Sequence, residues 1–224
     1  MRKVTLMDTR IKDVTRALLM IEPERDEKLP CFVHHPVFQN DMAFDGERLV
    51  DLFENLEAVR KPYLEMIDKA ERIEDCLIFI RDPYKMLWFS LIAPCLNGER
   101  YAEILKYCWM CEEYPSRDTN VPMDEMVRLF EAADEQYMVP DWLPETLTIY
   151  RGVRTGSHGL GMSWSLEEEV ARKFASRFSF GEDKGVVYKL EVPRDAVLAY
   201  IDERGESEIV IDAREFEGEV SEVK

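Results

Sequence analysis

The segment TLTIYRG, residues 146–152, marks the change from helical to strand patterns along this chain. Its β-branched and aromatic residues alternate with other side chains, which predicts a β-strand. Residues 45–139 before it carry apolar side chains at helical spacing, whereas only short apolar runs follow it. The sequence therefore predicts an α+β protein whose C-terminal part forms the sheet.

The segments after residue 152 predict one helix and several further strands. GMSWS, GVVYKLEV, AVLAYI and SEIVID have strand patterns, and GEVSEV is a further candidate. LEEEVARKFASRF has helical spacing, and its phase is expected to bury Phe174 and with it Phe178. The preceding SLEE fits a capping box, so we expect Ser165 to cap this helix and Ser163 to stay free for a ligand.

Proline and glycine residues divide the earlier part into four or five predicted helices. The stripe YKMLWFSLI (84–92) is interpreted as core. One helix face is predicted from Leu49, Val50, Leu52, Phe53, Leu56 and Val59, a second helix from Pro62 to Leu77, and further helix starts at Asp82-Pro83, Gly98 and Asn120–Pro122. These patterns place an N-terminal extension at 1–44, a helical lobe at 45–145 and a β core at 146–224.

The composition limits the classes of partner. The chain has 224 residues, a net charge of −17 and 46% hydrophobic residues, so it is expected to fold around a core and not to bind DNA, RNA or an anionic membrane nonspecifically. The N-terminus has no apolar stretch typical of a secretory signal, and the run MLWFSLIAPCL is too short to span a bilayer. With five cysteines, an odd number, reduced thiols in a cytoplasm are expected.

Two glutamates stand at the start of the apolar run in RGESEIVID, residues 204–212. If Glu206 and Glu208 both belong to a strand, their side chains share one face, roughly 7 Å apart at Cα. Such a pair can stabilise a developing cation or remove a proton, although exposed glutamates at a strand start are also common.

Two other segments carry groups that suit a phosphate-containing ligand. Arg151 ends the strand 146–152, where its planar guanidinium could donate two hydrogen bonds to a phosphate or form a structural salt bridge. Gly152 would let a ligand approach the backbone. Ser163 and Ser165 share one face of a short strand and offer uncharged hydroxyl groups.

The order of YRG, then SWS followed by a helix with ARKFA, then ESE resembles the Arg-Ser-Glu class of mono-ADP-ribosyltransferases. The resemblance covers about residues 146–212. It implies an N-terminal helical lobe packed on a C-terminal split mixed or antiparallel β-sheet of the ADP-ribosyltransferase type. It also implies a glycosyltransferase-class enzyme that uses NAD as a substrate and needs no metal.

The resemblance assigns a role to each matching residue. Arg151 would hold the NAD diphosphate and ribose, Gly152 would offer backbone groups to the nicotinamide amide, and Ser163 would orient the nicotinamide ribose, with Ser165 beside it. Phe180, or else Phe178, would stack on the nicotinamide.

The two glutamates would have separate roles. Glu208 would bind the ribose 2′-hydroxyl and stabilise an oxocarbenium-like transition state, and Glu206 would polarise an acceptor, usually an arginine guanidinium.

The chain departs from the family at three places. The segment 152–162 is short, and Trp164 lies between the serines. In the four-residue link Asp202–Gly205, Arg204 and Gly205 replace a target-recognition aromatic.

Two other sequence features indicate a metal site or a phosphate-binding loop, but less strongly. CWMC (108–111) has metal-ligand spacing, and Cys31, His34 and His35 could complete a zinc site, but the segment is helical and no second CxxC exists. His158 lies in the glycine-rich TGSHGLG, whose spacing does not match a phosphate-binding loop.

Three functions remain open from the sequence. The first is a mono-ADP-ribosyltransferase acting on a protein arginine, with the acidic composition favouring a basic protein target. The second is an NAD glycohydrolase on the same site. The third is a catalytically silent module that binds a protein partner. The acceptor and the oligomeric state do not follow from the sequence.

Overall fold

The computed structural model describes residues 8–112, 120–154, 160–177 and 185–223, and confirms the α+β class. These residues form two compact units. The N-terminal unit comprises residues 8–97, 107–112 and 120–121, and the sheet unit comprises residues 98–106 and the described residues from 122 onward.

The N-terminal unit contains four helices and two short antiparallel hairpins among its described residues. Their bounds are α1 (Thr9–Leu19), β1 (Glu24–Arg25), β2 (Val33–His34), β3 (Met42–Phe44), β4 (Leu49–Asp51), α2 (Leu56–Lys69), α3 (Ile73–Leu77) and α4 (Lys85–Ile92). The helix α5 (Gly98–Met110) has residues in both units. The stripe 84–92 is core as predicted, since Met86, Trp88, Phe89 and Ile92 have no exposed surface.

The helix predicted from Leu49 to Val59 is wrong at its start. Leu49 lies in β4, and α2 begins only at Leu56. The carboxylate of Asp45 accepts the backbone N–H groups of Glu47 and Arg48, and Gly46 has a φ of 104°. This Asp-Gly turn joins β3 to β4 as a hairpin, which is a strong local signal that overrides the apolar spacing.

The predicted boundaries at Pro62 and Leu77 also differ. Pro62 lies inside α2 and does not open a helix, and α2 ends at Lys69. A separate short helix, α3, then begins at Ile73, and the carboxylate of Asp75 accepts the N–H groups of Glu71 and Arg72 before it. The capping carboxylate stops α2 and α3 from forming one helix.

A buried histidine holds the segment after β2. His35 has no exposed surface, and its Nδ1 accepts the backbone N–H groups of Val37 and Phe38 at 3.0 Å. Its Nε2 faces the carbonyl of Ile21 at 3.0 Å and therefore carries the proton. Burial lowers the pKa of His35 to about 4, so the ring is neutral.

The sheet unit is built around one six-stranded antiparallel sheet of order β10-β7-β5-β6-β9-β8. The bounds are α6 (Met123–Glu131), α7 (Glu135–Met138), β5 (Thr146–Val153), β6 (Ser163–Ser165), α8 (Glu168–Ser176), β7 (Val186–Pro193), β8 (Ala199–Ile201), β9 (Glu208–Val210) and β10 (Ser221–Glu222). The strands predicted after residue 146 are therefore present, at these bounds.

Small residues bring α8 unusually close to β5 and β7. A Cβ on Gly152 would lie 1.9 Å from the carbonyl oxygen of Ala171, and a Cβ on Gly185 would lie 2.3 Å from that of Ala175. The expectation that Phe174 is buried is wrong, since it is 39% exposed. The helix must present its small face to the sheet, because a large side chain would not fit between the two backbones.

Candidate active site

The sheet order places the three motif strands side by side. The strands β5, β6 and β9 are consecutive, with Tyr150 opposite Ser165 and Ser165 opposite Glu208. Arg151 comes next to Tyr150 along β5, and Ser163 lies two residues before Ser165 on β6. Three segments that are distant in sequence therefore meet in one part of the sheet.

Strands β5 and β6 separate at this place. Among the described residues their ladder consists of the Tyr150–Ser165 pair, whereas β5 pairs with β7 along its whole length. If the ladder continued, Gly152 would lie opposite Ser163. The region between the ends of β5 and β6, where their described pairing stops, is called the split below.

Backbone groups of both strands point into this split. The carbonyl of Val187 accepts the N–H of Val223, so it points toward β10 and away from β5. Backbone groups alternate in direction along an antiparallel strand, so the N–H and C=O of Gly152, opposite Val187, point toward β6. The same alternation, counted from Ser165, directs the N–H and C=O of Ser163 toward β5.

The guanidinium of Arg151 lies where the pairing stops. Its Nη1 donates to the carbonyl oxygen of Ser163 at 2.5 Å, in place of a backbone donor from β5. A Cβ on Gly161 would lie 2.6 Å from Nη2, so glycine leaves room for the guanidinium. The Nε is buried and has no hydrogen-bond partner in the described part of the chain. Among the described residues, Arg151 therefore retains donor capacity beyond its bond to Ser163.

Arg151 and Glu208 interact electrostatically. Burial lowers the pKa of Arg151 to about 10, and the negative charge of Glu208 acts in the opposite direction. Alternation along the strands puts the side chains of Ser165 and Glu208 on the face opposite to that of Arg151. Because the two side chains start from opposite faces, a continuous sheet would lie between their charges. Their interaction is therefore consistent with a guanidinium that lies in the split.

The Cα of Gly152 packs against α8, whereas its backbone N–H and C=O point toward the split. The space next to its Cα is filled by the backbone of α8 at Ala171 and Ala175. The glycine is thus required for helix packing, which is a different reason from the ligand approach that we inferred from the sequence. Its N–H and C=O, directed to the split, remain the groups that could contact a ligand.

The two glutamates do not share a strand. The strand β9 begins at Glu208, and Glu206 lies in the preceding bend. Between them Ser207 has a φ of 44°, a left-handed conformation that is uncommon for residues other than glycine. The expectation that they stand side by side at strand spacing is therefore wrong, because the left-handed residue breaks the alternation.

Hydrogen bonds hold this loop in place. Ser165 Oγ donates to the carbonyl of Glu206 at 2.7 Å, and the N–H of Leu166 donates to the carbonyl of Ser207 at 3.0 Å. The Ser207 N–H donates to the Asp202 carboxylate, and its Oγ donates to that of Glu167, each at 2.9 Å. These bonds maintain an otherwise unfavourable backbone conformation.

Ser165 has a different role from the predicted helix cap. The helix α8 begins at Glu168 with Glu167 as its N-cap residue, so a capping box between Ser165 and Glu168 does not form. Ser165 Oγ accepts the N–H of Glu167 at 3.0 Å and donates to Glu206. Ser165 is 6% exposed and links β6 to the glutamate loop, so its hydroxyl already has two partners.

Sequence reasoning missed residues that support the site. Gly161 accommodates the guanidinium, and Asp202, Glu167 and Tyr200 surround Ser207. The glycines of TGSHGLG and the acidic residues around ESE were visible signals. Phe178, Phe180 and His158 lie outside the described residues.

The CWMC cysteines do not form a metal site with their predicted partners. Cys108 is buried, His34 Nε2 lies 3.0 Å from Asp26, and both ring nitrogens of His35 face backbone groups. Within the described ranges, no group of three or more His, Cys, Asp or Glu side chains is arranged to hold a metal ion.

Across the described residues, no helix has both the length and the apolar content needed to cross a membrane.

Comparisons of this chain with protein-family models, with curated proteins and with solved structures each found no match.

Proposed function

We propose that this protein is an NAD-dependent mono-ADP-ribosyltransferase whose acceptor is an arginine side chain of another protein. The observation that carries the proposal is the position of the Arg151 guanidinium, between β5 and β6 and interacting with Glu208. The proposal also draws on the resemblance of the YRG, SWS and ESE segments to the Arg-Ser-Glu class.

Arg151 supplies the positive charge for the diphosphate of NAD. A guanidinium has five N–H donors, and one described bond, to Ser163, uses Nη1. The low-polarity surroundings that lower its pKa also strengthen its interaction with an anion. Because its pKa stays near 10, Arg151 is cationic at neutral pH.

Backbone groups at the split offer further contacts. A carboxamide has an N–H donor beside a C=O acceptor. The C=O and N–H of a single extended residue can pair with these two groups. Gly152 has these groups directed toward β6 and has no side chain to cover them. We assign to Gly152 the nicotinamide amide, and to Ser163 the nicotinamide ribose.

Glu208 stabilises the positive charge that develops on the ribose. The bond between the ribose C1′ and the nicotinamide nitrogen breaks, and its electron pair leaves with nicotinamide. A carboxylate held on a strand needs little reorganisation to stabilise the resulting oxocarbenium-like state. A nitrogen of the acceptor guanidine then bonds to C1′, and Glu206 accepts the proton that this nitrogen loses.

The experiment is incubation of the full chain with NAD labelled in the adenosine moiety, together with agmatine as a guanidine acceptor. Free nicotinamide and labelled agmatine are measured separately. The variant Glu208→Gln should lower nicotinamide release by about 10²- to 10³-fold, the range found when one electrostatic stabiliser is removed. Glu191→Gln, at an exposed position on β7, is the matched control and should be unchanged.

Each alternative has its own outcome. Nicotinamide release without labelled agmatine or protein identifies an NAD glycohydrolase. Glu206→Ala should abolish labelling of the acceptor and retain slow hydrolysis if the two carboxylates have separate roles. If the wild-type chain neither binds NAD nor releases nicotinamide, the transferase proposal is wrong and the silent binding module is favoured.

A further inference from the structure

A large aromatic side chain is exposed near the glutamate loop. Trp142, in the segment between α7 and β5, is 63% exposed. Its ring is perpendicular to the ring of Tyr200, with centroids 5.1 Å apart and planes at 87°. This geometry is favourable for an aromatic pair, so the tryptophan is held in position although most of its surface faces solvent.

Tyr200 connects this tryptophan to the residue between the two glutamates. Tyr200 lies on β8 opposite Ile209 of β9, with its hydroxyl group near the side chains of Ser207 and Asp202. The route from the Trp142 ring across the Tyr200 ring to Ser207 is therefore on the order of 10 Å, of which 5.1 Å separates the two ring centroids. Trp142 is close to the proposed reaction centre but does not reach it.

The charges beside the loop are predominantly negative. Glu167 accepts a hydrogen bond from Ser207, and Asp202, Glu203 and Glu206 belong to the loop itself. Close to Trp142, Asp141 is fully exposed. Three basic residues lie in the same region, namely Arg204 within the loop, Arg194 at 3.4 Å from Asp141, and Lys106 beside Glu203. Among the residues that the structure describes in this region, these five acidic side chains outnumber the three basic ones.

We infer that Trp142 is the docking residue for a basic segment of the acceptor protein. The inference rests on the proposed function, since it places the reacting arginine at Glu206 and Glu208. An exposed indole face attracts a cation, and the acidic surroundings add to this attraction. An extended peptide advances about 3.3 Å per residue and its side chains alternate between two faces, so the cation on Trp142 belongs to a residue four positions from the modified arginine, the shortest even spacing that spans about 10 Å.

The test compares two peptide acceptors that differ only in the presence of a second arginine. One is a Gly/Ser peptide with two arginines four positions apart, and the other is the same peptide with one of them replaced by glutamine. Trp142→Ala should lower kcat/KM for the two-arginine peptide by about tenfold, which is in the range of a cation–π contact. The variant should leave kcat/KM for the one-arginine peptide and for agmatine unchanged. The rate of nicotinamide release in water should also stay the same.

Two controls accompany this variant. Trp142→Phe keeps an aromatic ring and should recover most of the lost activity. Phe44→Ala removes an exposed aromatic ring of β3, in the N-terminal unit, and should have no effect. An equal loss with both peptides and with agmatine would overturn the inference, because it would mean that Trp142 supports the site and not the acceptor.

Failure of the proposed function gives a different result. If the wild-type chain transfers ADP-ribose to neither peptide nor agmatine, the transferase proposal fails. The docking inference is then decided by fluorescence anisotropy with the labelled two-arginine peptide. Binding that weakens about tenfold in Trp142→Ala supports it, and equal binding or no binding by both chains overturns it.

Discussion

Replacing Gly152 by alanine tests the arrangement on which the candidate site depends. The new Cβ would lie 1.9 Å from the carbonyl oxygen of Ala171 and 2.5 Å from the backbone nitrogen of Ala175. A comfortable carbon–oxygen contact is about 3.3 Å, so α8 would have to move by roughly 1.4 Å. Both contacts are with backbone atoms, which cannot move aside by a change of rotamer.

This displacement has a cost that can be measured. Overpacking a core costs typically about 1–3 kcal/mol, and a clash with two backbone groups belongs at the upper end of that range or above it. We therefore expect Gly152→Ala to lower the free energy of unfolding by about 3 kcal/mol. For a chain of this length the midpoint of thermal unfolding should fall by roughly 10 °C.

The assay is urea unfolding followed by circular dichroism, with Gly218→Ala as the matched control. Gly218 is exposed, and a Cβ there would have no neighbour within 4 Å, so its variant should unfold like the wild type. Equal stability of Gly152→Ala and Gly218→Ala would refute the close packing of α8 on β5. It would also mean that helix packing does not require a glycine at position 152.

Two further predictions concern stability. Ser207→Ala and Ser207→Gly both lose the bond to Glu167, but only glycine relieves the φ of 44°, so the glycine variant should be about 1 kcal/mol more stable in urea unfolding. An alanine variant of equal or greater stability would contradict the left-handed conformation. Protonation of His35 should destabilise the fold in acid, and His35→Asn, whose side-chain oxygen can still accept the N–H groups of Val37 and Phe38, should remove that part of the pH dependence.

The sign for His35 follows from its two pKa values. The pKa is near 6.5 in the unfolded chain and about 4 in the folded chain, so the unfolded chain binds more protons between these values. Stability is therefore complete above about pH 6.5, falls as the pH is lowered toward 4, and loses up to about 3 kcal/mol. Identical slopes for the wild type and His35→Asn over this range would show that His35 is not the group responsible.

Local patterns in the sequence were sufficient to predict the strands and the helix α8 of the sheet unit, whereas the segment predicted as one helix from Asn120–Pro122 is divided into α6 and α7. Strand alternation predicted β5 and β7, and the core stripe at 84–92 was also predicted correctly. The start of the helix proposed over 49–59 was wrong because the turn at Asp45 and Gly46 was overlooked, although it is a local signal. The short hairpins β1–β2 and β3–β4 carry too few residues for their periodicity to be read.

The sequence by itself determined the class of the fold, the element types around the motif residues and the identity of Arg151, Ser163 and Glu208 as candidates. The tertiary structure alone decided that β5 and β6 part after Tyr150, that α8 presents its small face, and that Ser207 takes a left-handed conformation. The reason is physical. Element type follows from the spacing of side chains along a few residues, whereas the space beside a residue is set by segments far away in the chain.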